Sequence, residues 1–209
     1  MYRPATILST NRKCGSSIDL PTKDHCNPTK ICAFACYART GPQAWTNATR
    51  KHEWTSKYLS GSDISELIKE CSKQPAVRLN GSGDLLNEQA LNIVRLAKAC
   101  PNTVFWGMTR KLVIAKTLNK VKLPNLRILV TVDDSSPQTL WNYEGKLCYG
   151  PRRAEDKVPA DSRILTVFPR HFAGAIVNNV PPHKKDCPAV RHLVDGCINC
   201  QRCYSWWGS

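Results

Sequence analysis

The stretch LRILVTVDD, Leu126 to Asp134, is apolar at nearly every position, and this constrains the fold more than any other feature of the chain. A strand with one face in water alternates apolar and polar residues, whereas a strand apolar on both faces has to be covered on both. Short strand-like runs recur at ATILST (Ala5–Thr10), AVRLNGSGD (Ala76–Asp84, opening into a glycine turn), TVFWGMTR (Thr103–Arg110) and SRILTVFP (Ser162–Pro169). Helical patterns lie between them. SDISELIKECSKQ (Ser62–Gln74) repeats Ile64, Leu67, Ile68 and Cys71 at helical spacing, and NEQALNIVRLAKAC (Asn87–Cys100) offers Leu91, Val94, Leu96 and Ala97. KLVIAKTLNKV forms another helix that stops before Pro124. Such alternation predicts an α/β fold with a parallel sheet covered by helices.

A complete eight-fold barrel takes about 250 residues. A chain of 209 residues with five or six strands fits a partial, TIM-like (β/α) barrel over residues 1–179. The stretch from Tyr143 to Asp161 is rich in loop-forming residues and takes no assignment. Residues 180–209 lack a strand pattern and read as a cysteine-rich, metal-binding tail packed on the barrel.

Eleven cysteines in one chain demand an explanation. The opening MYRPATILSTNRKCG lacks the apolar core of a secretory signal, and no apolar run is long enough to span a membrane. A cytoplasmic location is therefore expected, where thiols persist and clustered cysteines serve as metal ligands or redox groups. Cys71, Cys100, Cys14 and Cys148 are scattered and read as small buried hydrophobes. CNPTKICAFACYA brings Cys26, Cys32 and Cys36 into one loop after the first strand, at the barrel mouth where such folds build their sites. Three thiolates are too few to close a structural zinc site but suit a [4Fe-4S] cluster with one open iron. A zinc site completed by Cys14 or His25, or a disulfide beside a spare thiol, remains an alternative.

The second group is Cys187, Cys197, Cys200 and Cys203, with CINCQRC as its core. Two-residue gaps let successive sulfurs converge on one centre, as in ferredoxin-type cluster runs, and four sulfurs equally close an all-cysteine zinc site. A second iron–sulfur cluster or zinc is expected there, or a ligand lent to the first cluster. In RLNGSGDLL, Gly81, Ser82, Gly83 and Asp84 form a turn whose backbone can approach a ligand, with Asp84 able to accept from an ammonium group. The plainer reading is a strand-to-helix turn.

A cysteine loop after strand one, a glycine-acidic turn after strand two and a cysteine-rich tail resemble the radical S-adenosylmethionine enzymes. That resemblance implies that Cys26, Cys32 and Cys36 hold the cluster and that Gly81, Gly83 and Asp84 contact S-adenosylmethionine. The cysteine gaps of five and three residues replace the three and two usual in that superfamily. More closely, CNPTKICAFACYA, RLNGSGD, FWGMTR and CP…CINCQRCY resemble a "gene product" family carried by bacteriophages and other mobile elements.

Thirty Lys and Arg against 16 Asp and Glu give a net charge of +14. Such an excess favours polyanions, because a cationic surface gains by releasing their counterions. Nucleic acid or a nucleotide is the expected partner, met through basic stretches such as RKHEWTSK and PRR, with Trp54, Trp206 and Trp207 available for stacking and Arg78 and Arg110 at the mouth. Three functions follow: a radical enzyme acting on nucleic acid or nucleotide, a non-enzymatic iron–sulfur protein that binds nucleic acid or senses redox state, and a zinc-stabilised binding module. The dispersed histidines and the single Asp133–Asp134 pair give hydrolysis no support.

Overall fold

The computed structural model describes residues 2–11, 13–169, 171–172, 175–176, 180–188, 193, 197–200 and 202–203. Seven strands form its main sheet: β1 (Ser9–Asn11), β2 (Gly15–Ile18), β3 (Ala76–Leu79), β4 (Val104–Thr109), β5 (Leu126–Val132), β6 (Leu147–Arg152) and β7 (Ile164–Pro169). They lie side by side in chain order, β1 antiparallel to β2 and every later neighbour parallel. The helices between them are α1 (Lys30–Phe34), α2 (Thr46–Leu59), α3 (Ser65–Cys71), α4 (Ala90–Ala99), α5 (Leu112–Lys120) and α6 (Gln138–Trp141). The α/β fold with a mostly parallel sheet is as expected.

Strand order that never reverses keeps the crossover helices on one face, because each parallel crossover has the same hand. Val77, Leu79, Phe105, Ile128, Val130 and Val132 point to that face and pack against Leu59, Leu67, Ile93, Leu96, Ile114 and Leu118 of the helices. Strand residues alternate, so Ala76, Trp106, Met108, Leu129, Cys148 and Phe168 point the other way. Cys14 and the tail residues Cys187, Cys197 and Cys203 cover that second face.

Several local assignments need correction. Ala5–Leu8 is not strand: Ile7 and Leu8 are buried, but their N–H groups donate to the Glu70 carboxylate at 2.9–3.1 Å instead of joining a ladder. The first parallel strand is the later β2, GSSI, whose polar residues hide its period. β6 lies inside the stretch that had no assignment, and α2 was not anticipated, because a helix carrying Thr, Asn, Lys and Arg has a weak apolar face. On α4 Leu91 is 69% exposed and Ile93 takes its place in the core.

Candidate functional site: two groups of cysteines

The first group sits at the carboxyl ends of the parallel strands. Thr29 caps α1, its Oγ accepting from the Cys32 N–H at 3.1 Å and donating to Asp133 Oδ2 at 2.5 Å. The Ile31 N–H donates to Ser135 Oγ at 3.2 Å, so the short helix is pinned to the end of β5 from both sides. Arg110 donates to Asp133 at 3.0 Å and to the Gly150 carbonyl at 2.9 Å, joining the ends of β4, β5 and β6. His25 holds the other side of the loop. Its Nδ1 lies 3.1 Å from the Asp84 carbonyl and its Nε2 3.1 Å from Ser56 Oγ. Both ring nitrogens are thus engaged, which leaves His25 unsuited to the fourth-ligand role.

Cys26, Cys32 and Cys36 are half-buried and close enough to feel one another's charge. Burial pushes the Cys26 thiol up to about 12, with Asp84, Cys36 and Cys32 adding to the effect and Lys111 opposing it. Burial also raises Cys32, against the pull of Arg110. Among the described residues, no three His, Cys, Asp or Glu side chains are already drawn together tightly enough to hold an ion. A metal at this loop has to displace protons and gather the sulfurs as it binds.

The glycine turn follows β3 and packs against the loop after β2. A Cβ on Gly81 would lie 2.3 Å from Asp19 Oδ1, and one on Gly83, where φ is +69°, would lie 2.3 Å from the Pro21 carbonyl oxygen. Packing alone already requires both glycines: Gly81 leaves room for the Asp19 and Ser17 side chains, and Gly83 for the backbone of Leu20 and Pro21. The buried Asp84 carboxylate accepts from Thr109 Oγ and from the Leu85 N–H, each at 2.8 Å. Burial raises its pKa and these two donors oppose the rise.

The second group lies on the face away from the helices. Cys14 precedes β2, Cys148 lies on β6, and Cys187, Cys197 and Cys203 come from the tail. Cys197 donates a hydrogen bond to Cys14, whose thiol is thereby held below its ordinary range, with Arg78 and Lys13 adding to the effect. Arg78 Nη1 donates to Cys14 Sγ at 3.0 Å, and its guanidinium stacks 5.3 Å from the Trp106 ring. Arg78 therefore points to this face, where Tyr37 of the first loop also comes close enough to feel its charge. The tail is tied down as well: the Cys187 N–H donates to the Val167 carbonyl at 2.8 Å and the Cys197 N–H to the Lys13 carbonyl at 2.6 Å. Cys14 and Cys148 were legible only as isolated hydrophobes, since nothing in their own neighbourhoods announces a partner distant in the chain. Cys71 and Cys100 do sit in the main core as expected. None of the eleven cysteines is in a disulfide.

Around the first group the surface is aromatic and basic. Phe34, Tyr37 and Trp45 are 78%, 50% and 66% exposed, and Lys30 and Arg39 are exposed beside them in sequence. Lys30, Ile31, Phe34, Ala35 and Arg153 line a shallow cleft of 210 Å³. The PRR stretch is less available, while Arg50 and Lys57 of RKHEWTSK are exposed. Arg152 is buried against Asp186 at 3.5 Å, and Arg153 is paired with Asp156 at 2.8 Å. Trp54 stacks on Tyr58 with centroids 5.0 Å apart and is half-buried, while Trp206 and Trp207 lie outside the described residues. Among the described residues no helix is long and apolar enough to cross a membrane.

An α/β protein with a seven-stranded, mostly parallel sheet and thiols grouped at two places is the class that fold and site define. Within that class the chain belongs to the Gene product 88 family, whose sequence profile matches residues 4–206. This agrees with the expected phage-type gene-product family. No curated protein and no solved structure matches the chain.

Proposed function

We propose that the chain is an iron–sulfur protein whose Cys26, Cys32 and Cys36 hold a [4Fe-4S] cluster at the mouth of a partial (β/α) barrel, acting with S-adenosylmethionine on a nucleic acid or nucleotide. The observation that carries the reading is the meeting of three half-buried thiols of one loop at the carboxyl ends of the parallel strands. Three protein sulfurs leave one corner of such a cluster to a small-molecule ligand, and the bound group would supply one-electron chemistry there.

The residues around the thiols suit that role. Arg110, fixed by Asp133 and the Gly150 carbonyl, and Lys111, fixed by the Leu85 carbonyl at 2.7 Å, set positive charge beside Cys32 and Cys26. They offset the negative charge that the thiolates bring to a partly desolvated site. Thr29 and Ser135 orient α1 and so the Cys32 sulfur. Asp84, buried behind the loop and charged enough to act on Cys26, is the carboxylate this reading assigns to a ligand's ammonium. The exposed Phe34, Tyr37 and Trp45 give bases a surface to stack on, and Lys30 and Arg39 suit phosphates.

The test is anaerobic reconstitution of the full chain with iron and sulfide, then reduction with S-adenosylmethionine present. A brown protein that loses its strand-end iron in the Cys26→Ala, Cys32→Ala, Cys36→Ala triple variant and yields 5′-deoxyadenosine supports the whole reading. A cluster with no 5′-deoxyadenosine under any reductant removes the enzymatic part and leaves an iron–sulfur protein that binds nucleic acid or senses redox state. A colourless protein with zinc on those three cysteines overturns the reading in favour of a zinc-stabilised binding module.

A further inference from the structure

On the sheet face opposite helices α2 to α5, cysteines from four separate parts of the chain meet. Cys14 stands at the turn before β2, Cys148 on β6, Cys187 just after the residue that bridges to Val167, and Cys197 and Cys203 in and beyond the last helical turn, Cys197–Cys200. All five are buried in one cluster with Trp106 and Leu129. Cys197 donates to Cys14, and Cys203 feels the charges of Cys187, Cys148 and Cys200. Thiols have no need to gather in this way for packing alone, since the main core fills its own space with Leu, Ile and Val.

The second element is charge. Arg78 sits inside the sheet with its Nη1 on Cys14 Sγ at 3.0 Å, and Lys13 adds a further positive group next to it. A guanidinium aimed at sulfur from within a sheet is costly to desolvate unless the sulfur carries negative charge, as metal-bound thiolate does. The backbone supports the same arrangement, because the Cys197 N–H donates to the Lys13 carbonyl at 2.6 Å and so places the tail's cysteine turn directly beside Cys14.

We propose that this face carries a thiolate metal site of its own, in which Cys14 joins Cys187, Cys197 and Cys203 as ligands of a soft metal centre, either one zinc ion or an iron–sulfur core. Cys148 forms the floor and Arg78 is the positioning and charge-balancing residue. Cys200, half-buried at the edge, lies outside the ligand set. The sulfurs have to draw inward on binding, as at the strand ends. The site fastens the first hairpin and the tail to the sheet, so the metal closes the two ends of the chain over one face. It stands independently of the strand-end cluster.

The experiment uses the full chain carrying Cys26→Ala, Cys32→Ala and Cys36→Ala, so that failure of the strand-end reading cannot be mistaken for failure of this one. Zinc and iron bound per chain are measured after purification from zinc medium and after anaerobic iron–sulfide loading, which tells the two metals apart. Adding Cys14→Ser is expected to weaken metal retention against a chelator by about tenfold or more, while Cys71→Ser or Cys200→Ser leaves it within about threefold. Cobalt(II) titration provides a readout that survives a poorly folding variant, because the intensity of its sulfur charge-transfer band counts thiolates. Four thiolates in the parent and three in Cys14→Ser are expected. Arg78→Gln is expected to lower affinity without changing that count. Equal retention and an unchanged thiolate count in Cys14→Ser would overturn the proposal, as would a parent that binds no metal.

Discussion

The strand-end thiols and the thiols on the sheet face beneath the tail differ in how each group is assembled. Cys26, Cys32 and Cys36 lie within 11 consecutive residues, half-buried on a loop whose helix is held by Thr29 and Ser135. The other group draws on both ends of the chain and on the middle of the sheet, and its members are buried. A site made from one loop can open to a ligand without disturbing the fold. A site made from distant segments is part of the fold, and whatever binds there stabilises the whole.

The sharpest way to separate the two is Gly83→Ala. The added Cβ meets the backbone of Leu20 and Pro21 at 2.3–2.4 Å in a left-handed conformation, so the loops after β2 and β3 can no longer pack. A loss of at least about 3 kcal/mol is expected in urea unfolding, with metal at the strand ends lost first. If both sites fail together, the contrast between them is false.

The pH dependence of metal uptake comes next. With Cys26 pushed up to about 12, its proton stays on throughout the working range and has to leave when metal binds. Binding at the strand ends therefore strengthens as pH rises, by about tenfold per unit for each proton released. On the opposite face Cys14 is held below its ordinary range by the Cys197 hydrogen bond, while Cys197 and Cys203 are raised, so metal binding releases protons there as well and its affinity also rises with pH. Chelator competition at pH 6, 7 and 8 measures both slopes, and an affinity that does not change with pH would overturn thiolate ligation at that site.

Thiol alkylation of metal-free protein, read by peptide mass, is expected to modify Cys26, Cys32 and Cys36 about tenfold faster than Cys14, Cys187 and Cys203, because buried thiols react only after local opening. The smallest effect belongs to Thr29→Val. It removes the cap on the Cys32 N–H and the bond to Asp133, for a cost of about 1 kcal/mol in thermal or urea unfolding. That loss should weaken metal binding at the strand ends alone.

Much of the sheet was legible because burial writes itself into local pattern. β5 announces itself by unbroken apolar residues, and α4 and α5 by their period. β2 and β6 were not legible: Gly15-Ser16-Ser17 lacks apolar alternation, and Cys148, Gly150 and Pro151 resemble a loop until their neighbours on β5 and β7 supply the ladder. The strand-end thiols were recognisable for the same local reason, a short spacing, and so was the dense tail. Arg78 was placed at the mouth because its position at the end of an apolar run looked terminal. Its true direction follows from alternation along β3, which sends it to the face opposite Val77 and Leu79.

By itself the sequence determined the parallel α/β class, the loop that collects Cys26, Cys32 and Cys36, and the excess of positive charge, because each depends on neighbours within a few turns of chain. Only the tertiary structure decided that Cys14 meets Cys197 beneath Arg78, that Asp133 ties Thr29 to Arg110, and that Gly83 serves a backbone contact while Gly81 makes room for Asp19 and Ser17. The physical reason is that these contacts join residues far apart in sequence. They exist only after strand order and the alternation of side chains have chosen which faces meet.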